Sequence, residues 1–279
     1  MRSHVRLAFC ALCCAALACS ETPPAEADRP YQRLAIFAPS AAEMVVALGA
    51  ADRVVGIGGF GTFPGEIEKR RVVGSFDQPD IEALLELKVD HVLTTSSVNA
   101  AAAYERLGRL GIIVESFDTS TFDGVRTTLR ALGERLEREV NAEQLLEEMS
   151  DGLERIQAQT AGLPIPKVLI AVGTDPLYVA GPGSHLDELI RLAGGSNVAF
   201  DATSPYQRYS IEAVLERQPD VIIDTSGQAS SWEQWPLLPA VISGRVHSVD
   251  ADLLVVPGMR LVEMAALTRD LIHPELATR

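Results

Sequence analysis

Few residues in this chain have both the type and the spacing to make or break bonds. The four cysteines, Cys10, Cys13, Cys14 and Cys19, all fall in the first nineteen of 279 residues. Beyond them the sequence offers no thiol nucleophile and no thiolate metal ligand. No G-x-S-x-G elbow, H-E-x-x-H pair or G-x-x-x-x-G-K-[ST] phosphate loop occurs. His91, His185, His247 and His273 are not spaced to share a metal from one element. His91 and His247 read as strand residues, whereas His185, beside the turn Gly181-Pro182-Gly183, is the one placed to meet a ligand. One motif imitates a dinucleotide site: Gly56 to Gly61 reads GIGGFG after a short apolar run. A pyrophosphate site would need a helix opening at its last glycine, but Thr62-Phe63-Pro64-Gly65 follows and breaks one. An exported nucleotide-binding α/β enzyme is therefore a remote alternative.

What remains is chemistry suited to holding a ligand. Aromatic residues make up only 5% of the chain, and several stand on loops beside Gly and Pro. Phe76, Tyr178, Tyr206 and Tyr209 could stack on a flat ligand at little entropic cost. Pro39 and Ser40 end the first strand, Ser184 closes the glycine turn, Asp252 and Leu253 follow the last strand, and Arg260 opens the last helix. Together with Phe76, Tyr178 and Tyr206 these are the candidate ligand-binding residues.

The elements that must carry them alternate. Apolar runs at 34–37, 54–57, 91–94 and 112–114 predict strands. Between them, 41–48, 81–87 and 101–110 have helical periodicity. That alternation argues for a parallel sheet wrapped by helices. From Phe122 to Ile156 apolar residues recur every three or four positions. A capping box at Asn141 and Gln144 would split this run into two helices, the second covering about 142–160. After Pro166 strands are expected at 168–172, 221–223 and 245–249, with helices at 186–192 and 260–272.

A repeat marks the two halves as related. Asp80 to Leu93 reads DIEALLELKVDHVL, and Ser210 to Ile223 reads SIEAVLERQPDVII, 130 residues later. Glu82 and Glu212 are its matched acids, each in the first turn of a capped helix. Dipole compensation would favour an acid there by roughly 0.3–1 kcal/mol. The same acid at the same place in each half further suggests a pair of docking charges, one per lobe, flanking a ligand cleft.

The N-terminus reads as an export signal. Arg2, His4 and Arg6 precede an apolar run too short to span a bilayer, ending at Ala16-Leu17-Ala18 before Cys19. Cys19 is the expected lipidation site, and residues 19–32, with their prolines, the tether. Of the 24 Lys and Arg, two lie in the first eighteen residues. The remainder then carries 22 basic against 38 acidic residues, net −16. No basic stripe suggests nucleic acid as a partner.

Five stretches together resemble the solute-binding proteins of vitamin B12, haem and iron-siderophore ABC importers, the cobalamin-binding type most closely. They are APSAAEMVVALGAADRVVGI from Ala38, VGSFDQPDIEALLELKVDHVL from Val73, DPLYVAGPGSHLDELIRLAGGSNV from Asp175, YSIEAVLERQPDVII from Tyr209 and LPAVISGRVHSVDADLLVVPGMRL from Leu238. The resemblance implies an α/β fold of two Rossmann-like lobes joined by a long rigid backbone helix. The lobes would span 33–121 and 163–279, with a helical linker at 122–162. It also implies a monomer in the periplasm or on the outer face of the cytoplasmic membrane, with no enzymatic activity and no cofactor beyond the cobalt- or iron-containing chelate it carries. Its partner would be a permease dimer with ATPase subunits, met through Glu82 and Glu212. Haem would want an axial Tyr or His, from Tyr178, Tyr206, Tyr209 or His185. An anionic ferric siderophore would want several arginines, where Arg208 and Arg260 stand. Bare zinc or manganese would want a His/carboxylate cluster, which the sequence does not provide.

Overall fold

The computed structural model describes residues 30–94 and 100–277. The export signal, Cys19 and all but the end of the tether lie outside the described residues. The first lobe holds β1 (Leu34–Ile36), α1 (Pro39–Ala47), β2 (Val54–Ile57), β3 (Arg71–Val72), α2 (Ile81–Glu86), β4 (His91–Thr94), α3 (Ala101–Arg109) and β5 (Ile113–Ser116). Its sheet runs β3-β2-β1-β4-β5, every pair parallel. Helices α4 (Phe122–Arg135) and α5 (Glu139–Thr160) cross to the second lobe. At 1.5 Å per residue the 22-residue α5 is about 33 Å long.

The second lobe comprises β6 (Lys167–Thr174), β7 (Leu177–Ala180), α6 (His185–Leu192), β8 (Ser196–Asn197), β9 (Tyr206–Arg208), α7 (Ile211–Arg217), β10 (Val221–Asp224), α8 (Pro239–Ile242), β11 (Val246–Ser248), α9 (Ala251–Leu254) and α10 (Leu261–Ile272). Its sheet runs β11-β10-β6-β7-β9, with β8 also on β6. The two-lobed α/β architecture expected from the sequence is present, but this sheet is not purely parallel. Only Asp175 and Pro176 separate β6 from β7, and so short a connection can join only antiparallel strands. β9 then adds antiparallel to β7.

The α4–α5 break also differs from expectation. Asn141 lies inside α5, which starts at Glu139 without a side-chain cap. The chain turns instead at Glu137, whose φ of 57° ends α4 in the left-handed region.

The repeat extends further than its letters. Asp80 and Ser210 cap α2 and α7 by accepting from the amides of Ala83 (3.0 Å) and Ala213 (3.4 Å). Lys88 and Gln218, in matched positions, both leave their helix with positive φ. Asp90 and Asp220 accept from the amides of Arg33 (2.9 Å) and Lys167 (2.8 Å), and these basic side chains donate to the helix-end carbonyls of Leu87 and Arg217.

Both faces of each sheet are covered. Alternate residues of β1, β4, β6 and β10 enter one apolar core that continues through α4, α5 and α10 from lobe to lobe. The opposite faces pack under separate clusters, Ala35, Phe37 and Val92 in the first lobe and Leu169, Ala171 and Ile222 in the second. The seam between α5 and α10 depends on Gly152, where a Cβ would lie 2.7 Å from Val262 Cγ1. Gly152→Leu is expected to lower stability by about 1–3 kcal/mol by forcing this seam apart. A urea midpoint equal to the wild type would contradict the packing.

Candidate functional site

The strands of the first lobe deliver their carboxyl ends to the cleft. Pro39 opens α1 there, half exposed. A Cβ on Gly61 would come within 2.6 Å of the Pro39 ring, and Gly61 has φ +92°. The GIGGFG stretch thus ends by packing against the chain after β1, and no helix opens at Gly61. Phe117–Ser120, following β5, form one wall of an inter-lobe hollow of about 440 Å³, and His185 and Tyr206 form the facing wall. The His185 amide donates to Ser120 O (2.7 Å) across the lobes.

His185 is 1% exposed, and its two ring nitrogens have distinct roles. Nε2 lies 2.8 Å from Leu254 O, which can only accept, so Nε2 carries the proton. Nδ1 is then the acceptor for the Tyr206 hydroxyl at 3.3 Å. Burial holds the imidazole below its ordinary pKa and pushes the Tyr206 phenol up to about 12, so both are neutral near pH 7.

Tyr178 and Tyr206 share one face of the antiparallel extension, because Tyr178 pairs with Arg208 and Ala180 with Tyr206. Both rings are partly exposed. Phe76 is also partly exposed and sits at the carboxyl edge of the first sheet. The Tyr104 hydroxyl donates to its carbonyl and pairs with Thr94, the last residue of β4. Leu253 is 49% exposed.

Four candidates have other engagements. Ser184 is fully buried, capping α6 by accepting from the Asp187 amide (3.1 Å) and donating to Gly181 O (2.8 Å). Ser40 is 5% exposed, its hydroxyl 3.4 Å from that of Thr119. Both hydroxyls are thus buried and engaged within the protein. Asp252 accepts from Thr62 Oγ1 (3.0 Å), and Arg260 Nε donates to Glu43 Oε1 (2.9 Å). Both contacts bridge the lobes beside a second hollow of about 450 Å³. Burial raises the Glu43 pKa, with Arg260 opposing. The sequence reading missed Glu43, Thr62 and Phe117–Ser120, although a position just beyond a parallel strand was a usable signal for the last.

Glu82 and Glu212 are exposed in the first turns of α2 and α7. The Ser210 hydroxyl donates to Glu212 (2.5 Å) and lowers its pKa. α7 is braced by Arg217, which holds Asp201 through two bonds of 2.6 and 2.5 Å and lies over the Phe200 ring. Among the described residues no three His, Cys, Asp or Glu side chains converge as metal ligands.

The model of the periplasmic binding protein family matches residues 34–253, and the chain belongs to that family. Its members are substrate-binding proteins rather than enzymes, which removes the nucleotide-enzyme alternative. The Bacillus subtilis protein named uncharacterized ABC transporter substrate-binding lipoprotein YvrC is 32% identical over 255 residues, 88% of this chain and 81% of its own length. A vitamin B12-binding protein of Pectobacterium atrosepticum is 29% identical over 200 residues, covering 69% of this chain and 71% of that protein. The solved periplasmic heme-binding protein HutB of Vibrio cholerae shares the fold with TM-score 0.79 and 23% identity, over 88% of this chain and all of that one.

Burial of His185 makes stability depend on pH. The folded imidazole binds its proton less readily than the unfolded one, so the unfolded state gains protons first as pH falls. The stability contribution is complete above the ordinary value of 6.5 and declines below it, by up to about 1.4 kcal/mol per pH unit. His185→Gln is expected to flatten the loss of unfolding free energy between about pH 7 and 5. A slope unchanged from wild type would contradict a buried neutral imidazole.

Proposed function

We propose that this chain is the substrate-binding component of an ABC importer, captures a large metal chelate between its lobes and delivers it to a permease dimer served by ATPase subunits. The ligand of choice is a corrinoid. The protein works as an exported monomer, held at the membrane by a lipid on Cys19, and Glu82 and Glu212 meet basic residues of the permease.

The observation that carries the ligand reading is the partial exposure of aromatic side chains from both lobes: Phe76 at 37%, Tyr206 at 38% and Tyr178 at 40%. An aromatic edge left open to water costs free energy that a flat, weakly polar ring system recovers on binding. A corrin presents such a surface, and the vitamin B12-binding relative supports it. Pro39, Asp252 and Leu253 complete the rim, and Arg260 supports it through Glu43. An anionic siderophore is less well served, since Arg260 is already paired across the lobes and Arg208 lines neither inter-lobe hollow.

Haem is favoured by one specific observation, the Tyr206 hydroxyl on the His185 imidazole. An iron bound to the phenol oxygen would displace its proton, and Nδ1 is the nearby base able to take it. The two ligands separate on one pair of variants. For a corrinoid, Tyr206→Ala lowers affinity about tenfold, while Tyr206→Phe, which keeps the ring, stays near wild type. For haem, Tyr206→Phe loses the axial ligand and the Soret signature together. Wild-type cobalamin and haemin affinities in both variants would overturn a role for Tyr206.

A further inference from the structure

A hollow larger than either inter-lobe one lies outside the cleft. A groove of about 840 Å³ lies on the second lobe, between the β6–β7 hairpin tip, the start of α7 and the 3-10 turn Ala229–Gln234. It shares no lining residue with either inter-lobe hollow. Both tryptophans of the chain stand in it, with Arg208, Tyr209 and Glu212.

The groove is held open by buried polar chemistry. Asp224 is fully buried, and its carboxylate accepts from Trp232 Nε1 (2.8 Å), the Ser226 amide (2.9 Å) and the Ser226 hydroxyl (2.6 Å). This fixes Trp232 as the floor. The Thr174 hydroxyl donates to Gln228 Oε1 (2.9 Å), fixing the hairpin tip to the opposite wall. Trp235 remains partly exposed, and Arg208, whose backbone pairs with β7, has no side-chain ion-pair or hydrogen-bond partner among the described residues. Trp, Tyr and Arg are the residue types that dominate binding energy at protein interfaces, above all in preformed pockets.

Two features identify the occupant. Glu212 forms part of the groove lining, so a protein segment that reaches this carboxylate also meets the groove. Asp175 and Glu212 give the lining two acids against one arginine, which suits a segment bearing a basic residue. We infer that the groove receives an apolar or aromatic side chain from the same permease segment whose basic residue pairs with Glu212. This rests on the docking reading above.

The test measures binding of the ligand-loaded, full-length lipoprotein to the purified permease–ATPase complex of the same cell in nanodiscs. Ser231→Phe fills the groove without removing a side-chain hydrogen bond, Trp235→Ala strips its aromatic wall, and Glu212→Arg reverses the docking charge. All three are expected to weaken permease binding about tenfold or more while cobalamin and haemin affinity stay at wild type; Trp235→Ala, which loses packing on the second-lobe core, and Glu212→Arg, which loses the Ser210 bond, lower the thermal midpoint but leave the protein folded. Wild-type permease binding by both groove variants, with loss in Glu212→Arg, would overturn the groove inference and leave docking intact. Normal binding by all three would remove the docking reading as well. A change in cobalamin or haemin affinity on filling the groove would assign it to the ligand site and equally overturn the inference.

Discussion

Leu146, Met149, Leu153 and Ile156 of α5 lie in the same buried apolar cluster as Leu34 and Ile36 of the first sheet and Val168 and Ile170 of the second. The lobes are thus continuous in their interior although the cleft divides their surfaces. Rotating one lobe against the other would open that core, at about 2.5 kcal/mol for each 100 Å² of apolar surface exposed. Leu261, Met264 and Ile272 of α10 extend the same cluster. The cross-lobe contacts at Glu43–Arg260, Thr62–Asp252 and Ser120–His185 sit on top of this constraint and set the cleft walls. A cleft built this way is preformed, so binding energy goes into ligand contact rather than domain closure.

That constraint explains what the site can recognise. Fixed walls select by shape, and open aromatic edges select by flatness. The polar groups in the hollow are mostly committed to one another: Tyr206 to His185, His185 to Leu254, Ser40 to Thr119. A ligand that brings its own coordinated metal asks little of such a wall beyond stacking and a few hydrogen bonds.

Much of this was readable from residues alone. The β1–α1 and β4 units, the long α5 and the repeat showed in apolar periodicity and matched letters, because local spacing dictates them. The start of α5 was misplaced because a left-handed residue, Glu137, ended α4 where a plausible capping pair stood nearby. β7 and β9 escaped notice because strands of three or four residues carry little pattern, yet they position Tyr178 and Tyr206. Ser40 and Ser184 looked like loop hydroxyls, and only the tertiary structure shows them buried beside internal partners. Glu43 gave no signal at all, since its partner Arg260 is 217 residues away.

The most direct measurement is calorimetric titration of the protein lacking its first nineteen residues with cobalamin, beside haemin and ferric siderophores. Saturable one-to-one cobalamin binding with sub-micromolar Kd is expected. Absence of binding to every one of these chelates by folded protein would contradict it.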